Sequence, residues 1–206
     1  MIRLGLTGSI GMGKSNAAMM FRKLGIPVFD ADATVHRLQG PGGRAVAPIG
    51  AAFPGTVRDG RVVREALRRA VIGNNDAMNR LNRIVHPMVR QDEQKFLAAA
   101  RRAGKRAVVL DIPLLFETKG EKRADAIVVV SAPASLQRGR VLMRGKMSPE
   151  QFEAIRARQM PDAEKRRRAD LVIRTGLSRH ETQRAIRRLV RGLRDGRAPR
   201  RRGRRS

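Results

Sequence analysis

The chain has 206 residues, of which 41% are hydrophobic, so it can bury one good core, or one core and a small lobe. It contains no cysteine, which excludes disulfides and thiolate metal sites, and no run approaches the ~18 apolar residues of a membrane span. Because no leader-like segment precedes the first predicted strand, we expect a soluble, cytoplasmic protein. The net charge of +27 favours polyanionic partners.

The first predicted strand, residues 2–6, runs directly into a glycine-rich loop. Residues 8–15 match the pattern G-x-x-x-x-G-K-[ST] at every fixed position, and a helical pattern follows that Gly25 is placed to end. In this arrangement backbone N–H groups and a helix N-terminus converge on phosphate oxygens. The motif predicts a nucleoside triphosphate site in which Lys14 reaches the phosphates and the Ser15 hydroxyl ligates Mg²⁺.

A second strand is predicted at residues 26–29, and Asp30 and Asp32 follow it. On an extended segment, residues two apart point the same way, so one carboxylate can accept a proton from an attacking hydroxyl while the other assists Mg²⁺. Aspartates at this position are also typical N-caps, here of a helix beginning near Ala33. The pattern leaves both interpretations open for Asp30 and favours catalysis for Asp32.

The next part of the chain, about residues 40–103, is predicted to form a mostly helical lobe. It opens with a turn cluster at residues 39–43, and helical spacing follows at 62–72 and 76–103. Pro87 is predicted to interrupt the second of these helices.

A continuous apolar run at residues 107–110 predicts a buried parallel strand that ends at Asp111. This resembles a Walker B strand, whose carboxylate holds Mg²⁺ through water. Ile112 stands where motor-type ATPases usually carry a glutamate, and the chain has no Asn-Lys-x-Asp guanine motif. The pattern favours a small-molecule kinase over a mechanical ATPase or a GTPase.

Another strand is predicted at residues 126–130, followed by a cation-rich helical segment that we interpret as a lid over about residues 138–160. Arg140 and Arg144 are four apart, so on one helix both would face the nucleotide, where arginine suits phosphate contacts. The alternative is a solvated basic helix, which we favour for Arg138. Further lid cations are Lys146, Arg156 and Arg158.

A last strand at residues 171–173 and a terminal helix at 178–193 complete the pattern. Strands alternating with helices predict an α/β three-layer fold with a mostly parallel sheet, in one domain over residues 1–193. Residues 194–206 carry seven arginines and one aspartate, which predicts a disordered tail. Since the chain has no Trp and no Tyr for base stacking, we expect nucleic acid to bind only nonspecifically through this tail.

Together, these motifs resemble the dephospho-CoA kinase family. The resemblance covers residues 2–189 in order. The P-loop is shared with many families, whereas the combination of the other elements is much more specific. The matching elements are the P-loop segment 6–15, Asp30-Ala31-Asp32, His86-Pro87, the run 111–117 (Asp-Ile-Pro-Leu-Leu-Phe-Glu), Arg140, Arg144, Gln159 and residues 169–173.

The resemblance implies a P-loop kinase fold with a helical acceptor lobe and a helical lid. It also implies transfer of the γ-phosphate of ATP, with Mg²⁺, to the ribose 3′-hydroxyl of dephospho-CoA, the last step of coenzyme A biosynthesis. In that scheme the catalytic residues are Asp32, Lys14 and Arg140. ATP is bound by Gly11, Met12, Gly13, Lys14, Ser15, Asn16 and Arg144. The acceptor is bound by Thr7, Asp32, His86, Leu114, Leu115 and Glu117, and the metal by Ser15 and Asp111.

The chain departs from the family pattern at two places. Residues 174–177 read Arg-Thr-Gly-Leu where the family often has Asn and Gly, and Asn16 stands where Thr is commoner. Two other functions stay open at this point. One is a P-loop kinase acting on a nucleoside or a sugar acid, and the other is an ATP-dependent nucleic-acid-binding protein.

Overall fold

A computed structural model describes residues 1–145 and 147–199. The predicted lid cation Lys146 and residues 200–206 of the predicted tail lie outside this part. The chain forms two compact units. The first comprises residues 1–29 together with residues 100 onward, and the second comprises residues 30–99.

In chain order the described elements are β1 (Ile2–Thr7), α1 (Lys14–Lys23), β2 (Val28–Asp30), α2 (Ala31–Gln39), α3 (Val46–Ala52), β3 (Val57–Arg58), β4 (Arg61–Val62), α4 (Arg64–Val71), α5 (Asn75–Arg102), β5 (Ala107–Asp111), a 3₁₀ turn (Gly120–Arg123), β6 (Ala126–Ser131), α6 (Ala134–Leu142), α7 (Pro149–Ala157), α8 (Asp162–Arg168), β7 (Leu171–Arg174) and α9 (Arg179–Arg194).

The first unit is organised around a five-stranded sheet of order β2-β5-β1-β6-β7. The pairs β1–β5, β1–β6 and β6–β7 are parallel, with Leu4 opposite both Val109 and Ala126. Every residue of β5 and β6 is buried, as expected of a parallel sheet covered on both faces. The predicted α/β fold with a mostly parallel sheet is confirmed.

Helices cover both faces of this sheet. On one face, α1 and α9 pack together over a core that includes Leu6, Phe21, Val128 and Ile186. Because side chains alternate along a strand, the other residues of β6 face the opposite layer, where α8 packs against this strand. This three-layer arrangement brings the carboxyl ends of β1, β5, β6 and β7 to one edge, where ligand sites of open parallel sheets lie.

The second unit is helical apart from one hairpin. β3 and β4 pair antiparallel, and Asp59 and Gly60 between them both have positive φ (51° and 67°), as a tight hairpin turn requires. Asp92 on α5 accepts hydrogen bonds from Arg37 and Arg44, which ties α2 and the following loop to the long helix. The sequence interpretation placed helices and irregular structure here and missed this hairpin.

Three expectations about local structure are wrong. α5 continues through Pro87, because its amphipathic residues stay on one buried face while the proline removes a single N–H donor. Asp32 lies in the first turn of α2 and not on an extended segment, so it does not point the same way as Asp30. The helix expected to carry both Arg140 and Arg144 ends at Leu142, and Ser148 caps a separate helix, α7, with a capping box.

Within the part of the chain that the structure describes, no helix combines the length and the apolar run that crossing a membrane requires. Arg194, the first residue of the predicted tail, is the last residue of α9. Its carbonyl accepts a hydrogen bond from Arg106, and its guanidinium donates to the carbonyl of Leu24 at 2.9 Å.

Candidate active site

The glycine-rich loop lies at the carboxyl end of β1 and leads into α1. Gly11 and Gly13 have φ of 76° and 87°, a left-handed conformation that glycine adopts without strain. Gly13 precedes α1, and among the described residues no side chain caps the N-terminus of this helix. Its first N–H groups are the donors that the motif predicts for a phosphate.

The two glycines are also places of close approach. A Cβ on Gly11 would lie 2.7 Å from the carbonyl oxygen of Gln137 on α6, and one on Gly13 would lie 3.2 Å from Oγ1 of Thr175. The loop thus packs tightly between α6 and the segment after β7. The sulfur of Met12, a residue only 2% exposed, accepts a hydrogen bond from the N–H of Ala132 at 3.0 Å.

Lys14 and Asp111 form an ion pair at the edge of the sheet. Lys14 Nζ lies 2.6 Å from Asp111 Oδ1, and the side chains are 16% and 3% exposed. Because β1 and β5 are parallel neighbours, their carboxyl ends bring the P-loop lysine and this carboxylate together. The two residues that the sequence assigned to phosphate and to metal binding are therefore in contact.

Thr7, predicted to place the acceptor, is fully buried at the end of β1. Its hydroxyl donates to the carbonyl of Pro113 at 2.9 Å. In this structure Thr7 fixes the chain just after Asp111. The nearby predicted acceptor residues divide by exposure, because Leu114 is 40% exposed whereas Leu115 is fully buried, where it packs under Gly5.

Glu117, also predicted to line the acceptor side, faces inward. Its Oε1 accepts from the backbone N–H of Met160 at 2.8 Å and lies 2.9 Å from Nζ of Lys165, which is fully buried. Burial acts to raise the pKa of the Glu117 carboxyl, but the Lys165 ammonium and the N–H of Met160 outweigh burial and hold this pKa below its ordinary value. Among the described residues, Glu117 Oε2 has no hydrogen-bond partner.

Arg140, the predicted lid cation, is held beside the P-loop by Thr175. Its guanidinium donates to the Thr175 carbonyl at 2.6 Å and lies 3.3 Å from the Thr175 hydroxyl. That hydroxyl donates to the carbonyl of Met12 at 2.6 Å. Arg144 is exposed in the turn after α6, so the expectation that Arg140 and Arg144 share one helical face is wrong.

Two glutamines contact the peptide groups of Ile10 inside the loop. Gln137 Nε2 donates to the Ile10 carbonyl at 2.7 Å, and the Ile10 N–H donates to Gln159 Oε1 at 3.0 Å. The sequence interpretation singled out Gln159 only as a family match and missed Gln137. The signal that could have found Gln137 is its place one helical turn before Arg140, on the same face of α6.

Of the remaining predicted site residues, Ser15 and Asn16 are exposed in the first turn of α1, and the others belong to the second unit. The side chain of Asp30 caps α2 by accepting from the N–H of Ala33 at 2.9 Å, the role that the sequence left open beside catalysis. Asp32 is exposed in the first turn of α2, and His86 is exposed on α5.

Two cavities lie within the first unit. The larger, about 780 Å³, runs beside β7 and is lined by Arg166, Arg167 and Arg174 but by none of the predicted site residues. The smaller, about 480 Å³, touches Met12 and also Gln159. The larger cavity is therefore not the one beside the glycine-rich loop. We place the nucleotide at the loop, because its N–H groups and Lys14 are what a triphosphate requires.

The family model for dephospho-CoA kinase matches residues 2–180. The chain belongs to the dephospho-CoA kinase family. A dephospho-CoA kinase from Paramagnetospirillum magneticum is 62% identical over 163 residues, which is 79% of this chain and 77% of the relative. The predicted activity class, an ATP-dependent phosphotransferase acting on dephospho-CoA in coenzyme A biosynthesis, is confirmed at the level of this family.

Solved structures of similar proteins agree with the fold. TT1252 from Thermus thermophilus is 35% identical, with a TM-score of 0.83 over 93% of this chain and 97% of that one. A dephospho-CoA kinase from Campylobacter jejuni is 23% identical, with a TM-score of 0.70 over 94% and 98% of the two chains, and shows the shared fold. The dephospho-CoA kinase fold thus extends over both units of the chain.

Proposed function

We propose that this chain transfers the γ-phosphoryl group of ATP to the ribose 3′-hydroxyl of dephospho-CoA, giving coenzyme A and ADP. The observation that carries the proposal is the P-loop lysine paired with Asp111 at 2.6 Å, beside a loop whose neighbouring side chain, Thr175, also holds Arg140. This arrangement gathers cations and N–H donors at the carboxyl edge of the sheet, as phosphoryl transfer requires.

The first unit supplies the nucleotide-binding part of the reaction. The N–H groups of residues 11–16 bind the phosphate oxygens, and Lys14 exchanges its contact with Asp111 for the β- and γ-phosphates. Arg140, held on the same side of the loop by Thr175, neutralises the charge that develops on the transferring group. Arg144 stays part of the proposal as an exposed cation that contacts ATP.

The second unit supplies the acceptor side. Asp32 accepts the proton of the attacking hydroxyl or orients it, and this role rests on the Asp-Ala-Asp match together with the exposed position of this carboxylate at the start of α2. Asp30 instead holds α2 through its cap. His86 and the exposed Leu114 remain the proposed acceptor contacts.

The residues present fit a magnesium ion. The Ser15 hydroxyl is exposed at the start of α1, and the Asp111 carboxylate lies beside the same loop, so both are hard oxygen donors of the kind Mg²⁺ prefers. Bound Mg²⁺ would neutralise phosphate charge. Among the described residues no group of three or more His, Cys, Asp and Glu could hold a metal ion by itself. A cytoplasmic location belongs to the same proposal.

The experiment is a coupled ADP-release assay with Mg·ATP, with and without dephospho-CoA, and with the product identified by mass. ADP release that depends on dephospho-CoA, with one phosphate added to the acceptor, supports the proposal. A folded, ATP-binding sample that dephospho-CoA does not stimulate would overturn it.

Asp32→Asn tests the acceptor side separately. We expect this variant to lose most turnover while ATP binding persists, because the proposed proton acceptor is gone whereas the phosphate-binding groups of the first unit are unchanged. Asp76→Asn is the matched control, since Asp76 is an exposed aspartate in the first turn of α5 in the same unit. Equal turnover in the two variants would contradict the role of Asp32.

A further inference from the structure

Ile10 lies in the middle of the P-loop, and both of its backbone polar groups are engaged by side chains. Its carbonyl accepts from Gln137 Nε2 at 2.7 Å, and its N–H donates to Gln159 Oε1 at 3.0 Å. Each bond links residues more than a hundred positions apart in the chain. Loop backbone held by two such side chains is fixed more firmly than loop backbone whose partners are water.

The two glutamines lie at the two ends of the segment predicted to be the lid, about residues 138–160. Gln137 lies on α6 directly before this segment, and Gln159 lies near its last residue. Both ends of that segment are therefore fastened to one residue of the phosphate-binding loop. Whatever the segment does during a reaction cycle, its two attachment points share Ile10.

Burial and packing strengthen the attachment on the α6 side. Gln137 is only 4% exposed. Its backbone carbonyl oxygen would lie only 2.7 Å from a Cβ on Gly11. Any side chain at position 11 would push α6 and the loop apart. Glycine at position 11, a variable position of the motif, thus permits this close contact as well as the positive φ.

The same helix carries the lid arginine. Gln137 and Arg140 are three apart, so both project from one face of α6 toward the loop. Gln137 fixes the carbonyl of Ile10, and Arg140 bonds to Thr175, whose hydroxyl bonds to the carbonyl of Met12. The carbonyls of Ile10 and Met12 are thus linked to α6, the first through Gln137 and the second through Thr175 and Arg140.

We propose that Gln137 and Gln159 are positioning residues that hold the Ile10 peptide groups as a clamp from the two ends of the lid segment. They keep the P-loop and Arg140 at the relative positions that phosphoryl transfer needs. The inference rests on the proposed kinase function for its kinetic consequences. Its structural part, the fixed amide of Ile10, holds without that function.

The clamp predicts unequal effects of the same substitution, glutamine to glutamate, at its two ends. Gln159 acts as an acceptor, so Gln159→Glu keeps an oxygen for the Ile10 N–H. Gln137 acts as a donor, so Gln137→Glu sets a carboxylate against a carbonyl oxygen. We expect Gln137→Glu to lower kcat at least about tenfold more than Gln159→Glu, since it both loses a bond and places two acceptors together.

Leucine variants remove each bond without adding charge. We expect Gln137→Leu and Gln159→Leu each to lower kcat about tenfold while the KM for ATP changes less than about twofold, because Lys14 and the N-terminus of α1 still bind the phosphates. The double variant should lose less than the product of the single losses, since both bonds restrain one residue. Gln94→Leu, an exposed glutamine on α5, is the control.

Hydrogen exchange at the Ile10 amide tests the clamp without any assay of activity. We expect faster exchange in Gln159→Leu than in the unmodified protein, with protection kept in Gln159→Glu. Circular dichroism melts of each variant separate a loosened loop from a protein that fails to fold, and the half-buried Gln159 gives a variant that spares the core if Gln137 variants do not fold.

The failures are distinguishable. Loss of dephospho-CoA-dependent turnover in the unmodified protein would overturn the proposed function, and amide exchange would then decide the clamp alone. Equal kcat in Gln137→Glu and Gln159→Glu, or unchanged exchange of the Ile10 amide in Gln159→Leu, would overturn the clamp.

Discussion

Two lysine–carboxylate pairs in the first unit use the same chemistry in different surroundings. Lys14 and Asp111 meet at the mouth of the P-loop, where the lysine is 16% exposed, and Lys165 meets Glu117 with no exposure of the lysine at all. The first ammonium can exchange its carboxylate for a phosphate that enters from solvent. The Lys165 ammonium has no access to solvent, so it keeps Glu117 as its partner in the folded protein.

The permanent pair holds three segments together. Glu117 follows β5, Lys165 belongs to α8, and Met160, at the end of the segment that we interpret as the lid, donates its N–H to the same carboxylate. Arg168 on α8 adds an ion pair to Glu121 at 2.8 Å. The comparison teaches that exposure, and not the residue types, separates the lysine that we propose to bind phosphate from the lysine that stabilises the fold.

Lys14→Met should have the largest effect on turnover. We expect a loss of about a thousandfold or more in kcat/KM, because the variant removes a cation from the transferring phosphates. Coupled ADP release measures it, and Lys23→Met, an exposed lysine in the last turn of the same helix, is the control. If turnover of Lys14→Met were close to that of Lys23→Met, Lys14 would not act on the phosphates. The pairs Lys14–Asp111 and Lys165–Glu117 would then not differ in function.

Lys165→Met should act on stability. It leaves the Glu117 carboxylate buried without its cation, so we expect a loss of about 3 kcal/mol in the free energy of unfolding. Urea denaturation measures it, with the exposed Lys122→Met as control. Adding Glu117→Met should restore part of the loss, because the unpaired charge is then gone; a double variant that is worse than Lys165→Met would contradict the pair's role as a brace.

Arg140→Lys tests the contact with Thr175. A lysine cannot make the two-point contact with the carbonyl and hydroxyl of Thr175, so we expect kcat to fall about tenfold. Arg144→Lys removes the same group from an exposed turn and should change kcat less than about twofold. Steady-state kinetics with ATP and dephospho-CoA measures kcat of both variants. Equal losses of kcat would indicate that Arg144 and Arg140 have the same role.

Lowering the pH should reduce the stability that the pair of Glu117 and Lys165 contributes. The pKa of Glu117 lies below its ordinary value of 4.5, so the pair stabilises the fold above pH 4.5, and this contribution is lost as the pH falls further through the lowered pKa. Glu117→Gln has no charge to titrate and should show a shallower loss of stability below pH 4.5. Urea midpoints between pH 3 and 6 measure the difference, and parallel curves would contradict it.

The smallest effect is expected from the tail. Truncation after Pro199 removes five arginines and should leave kcat unchanged, because both lysine pairs and every proposed site residue lie before it. We expect weaker retention on nucleic acid at low salt, with the difference vanishing as salt rises. A kinetic comparison with the full chain checks the first part, and a fall in kcat would assign the tail a role in the chemistry.

The sequence predicted the framework well where the signal is local. β1, the glycine loop, α1 and Gly25 come from a contiguous pattern, and so does the buried strand ending at Asp111. Asp30 and Asp32 were harder, because an aspartate after a strand fits both a cap and a base, and only the observed start of α2 at Ala31 separates them.

What the sequence could not predict depends on contacts between distant residues. Nothing near Lys165 in the chain indicates that this lysine is buried, since its neighbours are charged and its partner Glu117 lies 48 positions earlier. The same holds for Gln137 and its bond to Ile10, 127 positions apart. Pro87 shows the reverse case, in which a local helix-breaking signal is overridden by the packing of α5.

The sulfur of Met12 bears on how the protein tolerates oxidants. Met12 is 2% exposed and its sulfur lone pair accepts from Ala132, whereas Met143 after α6 is 88% exposed. Conversion to the sulfoxide follows access of peroxide to the thioether, so Met143 is oxidised long before Met12. We therefore expect mild oxidation to modify Met143, in the predicted lid segment, before it reaches the phosphate-binding loop.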